Sequence, residues 1–137
     1  MADLSQTPAN VRAGTGAVTE LVQAGEAFSA GSPLYFKSSD GYYYKADADD
    51  ADKYDVAGVA LTGADAAGDR FVIQTDGQWD CGANTTQGEI YIVSDTAGAI
   101  APCGDLAATW YPAIVGVALN ATGLIDLILQ SGSAAHS

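Results

Sequence analysis

Leu34-Tyr-Phe-Lys-Ser-Ser-Asp-Gly-Tyr-Tyr-Tyr-Lys45 is the stretch that decides the fold class. Leu34-Tyr-Phe-Lys-Ser38 reads as a strand and Tyr42-Tyr-Tyr-Lys45 as its return, because aromatic side chains suit a pleated, half-buried surface. Ser39-Asp-Gly41 supplies the turn, where glycine reaches positive φ at no steric cost. Outward from this hairpin the same grammar continues. Val18, Leu21 and Val22 form an apolar segment that stops at Ala24-Gly25, and Ala30-Gly-Ser-Pro33 is a second turn. Val56-Ala-Gly-Val-Ala-Leu61 and Phe71-Val-Ile-Gln-Thr75 are further β-branched runs bounded by Gly and Asp. Residues 46–55, rich in Asp and Ala, fit either a short helix or an exposed loop.

The second half repeats this order. Gly88-Glu-Ile-Tyr-Ile-Val93 loosely matches Gly31-Ser-Pro-Leu-Tyr-Phe36, and Ala97-Gly98 takes the turn position of Asp40-Gly41. Ile114-Val-Gly-Val-Ala-Leu119 mirrors Val56-Ala-Gly-Val-Ala-Leu61, and Leu127-Ile-Leu-Gln-Ser131 mirrors Phe71-Val-Ile-Gln-Thr75. Gly58 and Gly116 sit inside otherwise regular strand patterns, which points to a bulge or a crowded crossing. In the place of the Asp-rich stretch, Asp105 is positioned to cap one helical turn that Pro112 ends. Short strands with turn signals between them imply a barrel or sandwich. The expectation is therefore a mainly β fold, a small β-barrel or sandwich built from two similar halves, with an extended N-terminal arm and at most one or two short helices. Residues 1–16, small or polar and without periodicity, are read as the arm and 17–132 as a single β-rich domain. Its halves fall at about 25–77 and 82–132, and 133–137 are read as a flexible tail.

Composition narrows the function. Of 137 residues, 48% are hydrophobic and 16% charged, too apolar for a disordered chain. Seventeen Asp and Glu against five Lys and Arg give a net charge of −12, and no basic residue follows Arg70. That field repels phosphate backbones, so direct nucleic-acid binding is not expected. The leading residues carry neither the basic nor the apolar region of a secretory signal, and no run approaches the roughly 18 apolar residues of a membrane span. The chain is accordingly read as soluble, free of membrane and made in a cytoplasm.

No reactive constellation is visible. His136, the only histidine, lies one residue from the end, which leaves a Ser or Cys nucleophile without an oriented base. Asp47, Asp49, Asp50, Asp52 and Asp55 are the densest carboxylates, but an EF-hand count from Asp47 puts Asp52 where glycine is needed and Gly58 where glutamate is needed. A solvated acidic loop is expected there, with weak divalent-cation binding as the alternative. Gly14-Thr-Gly16 and Gly63-Ala-Asp-Ala-Ala-Gly68 lack the features of phosphate or dinucleotide loops. Cys81 and Cys103 are read as small, mostly buried hydrophobes, with a bridge between them as the alternative. Strand alternation divides Tyr35, Phe36, Tyr42, Tyr43 and Tyr44 between two faces, so Tyr43 is assigned to core and subunit contact rather than to a sugar site. Trp79 and Trp110 are taken as packing or subunit-interface anchors. No catalytic, cofactor-binding or metal-ligating residue is assigned, and no cofactor.

The run Ala30-Gly-Ser-Pro-Leu-Tyr-Phe-Lys-Ser-Ser-Asp-Gly-Tyr-Tyr-Tyr-Lys-Ala-Asp-Ala48, with the strands at 56–62, 88–94 and 114–119, resembles head decoration proteins of tailed bacteriophages, the capsid-stabilising or cement proteins. The resemblance spans roughly residues 10–132. It implies a non-enzymatic β-rich protein, often a homotrimer, that binds the major capsid protein on the outer surface of an assembled head and bridges neighbouring capsomers. It also implies synthesis in a bacterial host cytoplasm and residence on the virion. The leading segment resembles the arm that such proteins lay across the shell, and by position Thr7, Pro8, Asn10, Val11 and Arg12 are its expected capsid contacts. A tail- or fibre-associated virion protein and a carbohydrate-binding β-module are the competing expectations.

Overall fold

In the computed structural model, which describes residues 3–132, the strands run in chain order as β1 (Arg12–Ala13), β2 (Val18–Gln23), β3 (Pro33–Lys37), β4 (Tyr42–Lys45), β5 (Val56–Ala60) and β6 (Arg70–Asp76). They continue as β7 (Gln78–Asp80), β8 (Ile90–Val93), β9 (Ile100–Pro102), β10 (Ala113–Ala118) and β11 (Leu124–Ser131). The quoted hairpin forms as predicted. β3 pairs with β4 antiparallel, with Phe36 opposite Tyr43 and Tyr35 opposite Tyr44. Gly41 takes a φ of +79°, and the Tyr44 hydroxyl donates to the Asp40 carboxylate across the turn. That bond raises the Tyr44 phenol to about 12 and lowers Asp40. Alternation splits the aromatics as expected: Tyr35 stacks on Tyr44 at 5.7 Å, and Phe36 lies 5.1 Å from Tyr43.

The fold is mainly β, with two packed sheets and no long helix. One sheet has six strands in the order β1-β7-β11-β10-β8-β9, and the other five in the order β2-β6-β5-β3-β4. Taking β7 for β2, β11 for β6, β10 for β5, β8 for β3 and β9 for β4 turns one order into the other. Among the described residues the helical pieces are two 3-10 turns, Pro8–Asn10 and Cys103–Asp105. Asp105 closes the second turn rather than capping it, and Pro102 stands at the cap without a side-chain bond. Residues 46–55 form no helix. Ala46 and Ala48 are buried and bond through their backbones to Gly98, Ser94 and Tyr111, while Asp47 and Asp50 accept from the backbones of Asp49 and Asp52. The small alanines thus fasten the loop, with Asp47 and Asp50 half-buried and Asp49 and Asp52 exposed.

Two cores follow from the two sheets. Trp79, Tyr91, Val93, Ile100, Val115 and Ile125 of the six-stranded sheet close on Val56 and Val59 of β5. Phe28, Leu34, Ala60, Phe71 and Ile73 form a second cluster belonging to the five-stranded sheet, whose outer strands touch at one bridge, Ala24 to Tyr43. Each large side chain buried this way contributes about 1.5–3 kcal/mol.

The paired glycines are crowded, as their place in the pattern implies. A Cβ on Gly58 would lie 2.7 Å from Ile73 Cδ1 and 2.8 Å from the Gln74 carbonyl oxygen; one on Gly116 would lie 2.2 Å from the Asp126 carbonyl oxygen. Register shifts accompany both. The expected match of Leu127-Ile-Leu-Gln-Ser131 with Phe71-Val-Ile-Gln-Thr75 does not hold in the ladders. Ala60 pairs with Ile73 and Ala118 with Ile125, so Ile125, not Leu129, stands where Ile73 does. The chain from Ala118 to Leu124 is shorter than that from Ala60 to Arg70, and the strand slides accordingly.

Gly14-Thr-Gly16 and Gly77 carry the chain between the sheets. Gly14 N–H donates to the Gln78 carbonyl and Gln78 N–H to the Thr15 carbonyl. A Cβ on Gly77, whose φ is +87°, would meet the Gly16 carbonyl oxygen at 2.3 Å. The buried Gln74 amide donates to the carbonyls of Asp76 and Gln78, bracing the crossing from within.

Candidate functional site

The N-terminal segment lies along the chain's own body. Leu4 N–H donates to the Ile100 carbonyl and Thr7 N–H to the Gly82 carbonyl. The Gln6 side-chain amide donates to the carbonyls of Gly31 and Cys81, both at 2.9 Å, and Ser94 Oγ donates to Asp3. Val11 is buried, its Cγ2 seated where side chains on Gly31 and Gly82 would otherwise stand, at 3.1 and 3.0 Å from those Cβ positions. Arg12 and Ala13 then pair with Asp80 and Trp79 as the outermost strand of the six-stranded sheet. An arm that awaits a partner for order was expected; these residues find their partners within the chain, because two glycines clear a channel and one glutamine bridges its walls.

This docking sorts the five residues assigned by sequence. Thr7, Asn10 and Arg12 come together in an open cleft of about 400 Å³ with Ser5, Asp80, Gly82, Ala83, Asn84 and Thr122. Val11 faces the core instead, as the anchor that holds the others outward. Pro8 lines a neighbouring cleft with Leu4, Phe28 and Lys45. Every side chain of the first cleft other than Ala83 is polar or is glycine's hydrogen, so it offers hydroxyls, amides, one carboxylate and one guanidinium. Asp80 faces Arg12 across the ladder, but its Oδ1 accepts from Gly82 N–H at 3.0 Å. Arg12 is exposed and, among the described residues, makes no ion pair. The site therefore presents a free cation within a strongly acidic chain.

Asp80, Asn84 and Thr122 were not singled out in the sequence. Asp80 follows Trp79 on β7 and is legible as an outward residue once Trp79 is known to face in, but Asn84 and Thr122 meet the cleft only through the contact of two loops. Gly123, at a φ of +108°, brings those loops together: a Cβ there would lie 2.6 Å from the Ala83 carbonyl oxygen.

The assigned subunit anchors divide too. Trp79 is wholly buried in its own chain, in the packing role that the sequence offered as one of two. Trp110 is also buried, in the main core, beside Thr109, whose φ is +78°. Tyr43 remains half-exposed and lines a groove with Phe36 and Leu21. Cys81 is buried, but Cys103 is exposed, against expectation, and both are free thiols. Burial pushes the Cys81 thiol up to about 11.

Burial likewise raises Asp47 in the acidic loop. Among the described residues no group of three or more His, Cys, Asp or Glu side chains gathers as a metal-holding set. No helix among them is long and apolar enough to cross a membrane. His136 and the tail read at 133–137 lie outside the described residues. No protein family, curated protein or solved structure matches the chain.

Proposed function

We propose that the chain is a structural, non-enzymatic protein that binds the outer surface of a phage head through its N-terminal segment and bridges capsomers as a homotrimer. The observation that carries this reading is the gathering of Thr7, Asn10 and Arg12 on one polar, solvent-open cleft beside a terminal sheet strand. A terminal strand offers unpaired backbone groups to a strand of another protein, and a cleft of amides and hydroxyls suits main-chain recognition. Arg12 then supplies the charged contact, against an acidic group of the major capsid protein. The −12 field keeps the free protein away from packaged nucleic acid, and symmetric attachment at several weak contacts gives durable avidity. The finer architecture belongs to the same proposal. The corresponding strand orders and crowded glycines support two similar halves, and the Ala24 to Tyr43 bridge supports a barrel-like closure of the five-stranded sheet.

The test is co-sedimentation with expanded, undecorated heads assembled from the major capsid protein of the chain's own phage. Wild-type protein should pellet with heads and raise the temperature at which they come apart. Arg12→Glu should lower the affinity at least about tenfold, since a charge-assisted contact becomes a repulsion. Wild-type protein that stays in the supernatant sinks the reading.

A further inference from the structure

The five-stranded sheet carries a second surface that the capsid-facing cleft does not use. β2 is the terminal strand of that sheet: along Val18–Gln23 its one ladder partner is β6, and its other edge runs beside β4, which the chain bridges just past β2 at Ala24 and Tyr43. Val18 is 52% exposed and Leu21 60%. Phe36, on β3, is 48% exposed. An open groove of about 470 Å³ lies there, lined by Glu20, Leu21, Val22, Phe36, Tyr43 and Arg70 among others. Aromatic rings lead into it from the core: Phe28 meets Phe71 at 4.8 Å, Phe71 meets Tyr43 at 6.1 Å, and Tyr43 meets Phe36 at 5.1 Å. The groove is thus the outward end of a packed aromatic line, with Phe36 held in place by the ring beneath it.

Soluble proteins guard terminal strands with lysine, proline or a covering segment. β2 carries neither lysine nor proline, and its one charge is Glu20. We propose that a second copy of this chain docks on this groove, with Leu21 and Phe36 as apolar anchors and Glu20 of one copy facing Arg70 of the next. The charges argue for a copy. The groove holds one anion and one cation, so two such grooves are complementary to each other in a twofold contact, each Glu20 meeting an Arg70, separate from the threefold contact proposed for the head-bound protein. Adjacent aromatic and aliphatic groups ringed by polar residues are the usual form of an interface centre. The net charge of −12 on each copy opposes approach at long range, and salt screens that repulsion while leaving the apolar contact in force.

The test is sedimentation equilibrium of the full chain over a range of micromolar concentrations at low and high sodium chloride. Wild-type protein should associate reversibly, and more strongly in high salt. Phe36→Ser should weaken association at least about tenfold, as loss of a central aromatic anchor does. Leu21→Ser, at a still more exposed position, should do the same and serves as the second variant if the first disturbs Tyr43; far-ultraviolet circular dichroism checks both folds. Glu20→Arg and Arg70→Glu should each weaken association, and the two together should restore it. Wild-type protein that is monomeric at every concentration and salt, or association unchanged by both serine variants, overturns the proposal. Capsid binding is read separately: Arg12→Glu should leave self-association intact, so failure of either reading is distinguishable from failure of the other.

Discussion

The six-stranded sheet ends at β1 on one side and β9 on the other, and the chain's own N-terminal segment attends to both. Arg12–Ala13 extends the sheet beyond β7, and Leu4 donates to Ile100 of β9. The five-stranded sheet, with its strands in corresponding order, has no such cover. Leu21 of β2 is exposed, and no ladder joins β2 to β4, which the chain meets just past β2 at the bridge between Ala24 and Tyr43. The comparison teaches that strand arrangement alone does not set which surface is sticky. What the rest of the chain lays over an edge decides it, and here one short segment covers β7 and puts a polar cleft beside the new edge at β1.

The strongest way to break the contrast is to remove that segment. A chain beginning at Gly14 loses the Val11 side chain from its niche and the Gln6 amide from two carbonyls, and leaves β7 as bare as β2. We expect a loss of about 3–5 kcal/mol, with urea unfolding as the measurement. Residues 1–16 read in the sequence as an arm outside the 17–132 domain; unchanged urea stability would favour that over the docking seen here.

A smaller perturbation asks whether the two sheets tolerate the same insult. Gly116→Ala drives a methyl group against the Asp126 carbonyl oxygen, which belongs to a strand paired on both sides and cannot retreat. Gly58→Ala meets the Gln74 carbonyl oxygen at 2.8 Å and Ile73 at 2.7 Å, a milder overlap than the 2.2 Å at Gly116. Overpacking should cost about 3 kcal/mol at Gly116 and about 1–2 kcal/mol at Gly58. Equal thermal shifts would show that the crossings are equivalent despite the closer approach at Gly116.

These two glycines mark how far the sequence could be read. The hairpin at 34–45 was legible because aromatic runs and an Asp-Gly turn are local signals, and both crowded glycines were legible because they interrupt a β pattern. The register of β11 was not: Leu127-Ile-Leu-Gln-Ser131 and Phe71-Val-Ile-Gln-Thr75 look alike as strings, but pairing is fixed by the length of the connection before them. At the candidate site, Thr7, Asn10 and Arg12 were found from their position in a non-periodic segment. That Val11 would turn inward was hidden, since the niche for it is made by Gly31 and Gly82, both far away in sequence. Which of the two roles offered for Trp79 its side chain takes was equally hidden, its burial being set by sheet packing that no local pattern records.

The gentlest probe of the contrast uses the two thiols as reporters. Cys81 sits under the N-terminal segment, with its carbonyl bonded to Gln6 and its thiol pushed up to about 11 by burial. Only the thiolate reacts with a disulfide reagent, so a buried thiol of high pKa labels through opening of the structure rather than directly. Cys103 is exposed on the far side of β9 and needs no opening. At neutral pH the native chain should therefore label in two phases, one fast thiol and one slow, with no measurable change in stability. The slow phase should vanish in Cys81→Ala and should accelerate in the chain beginning at Gly14, because the seal over that edge is gone. Two fast thiols in the intact chain would mean that the N-terminal segment leaves the sheet readily, and that the six-stranded edge is as open in solution as the edge at β2.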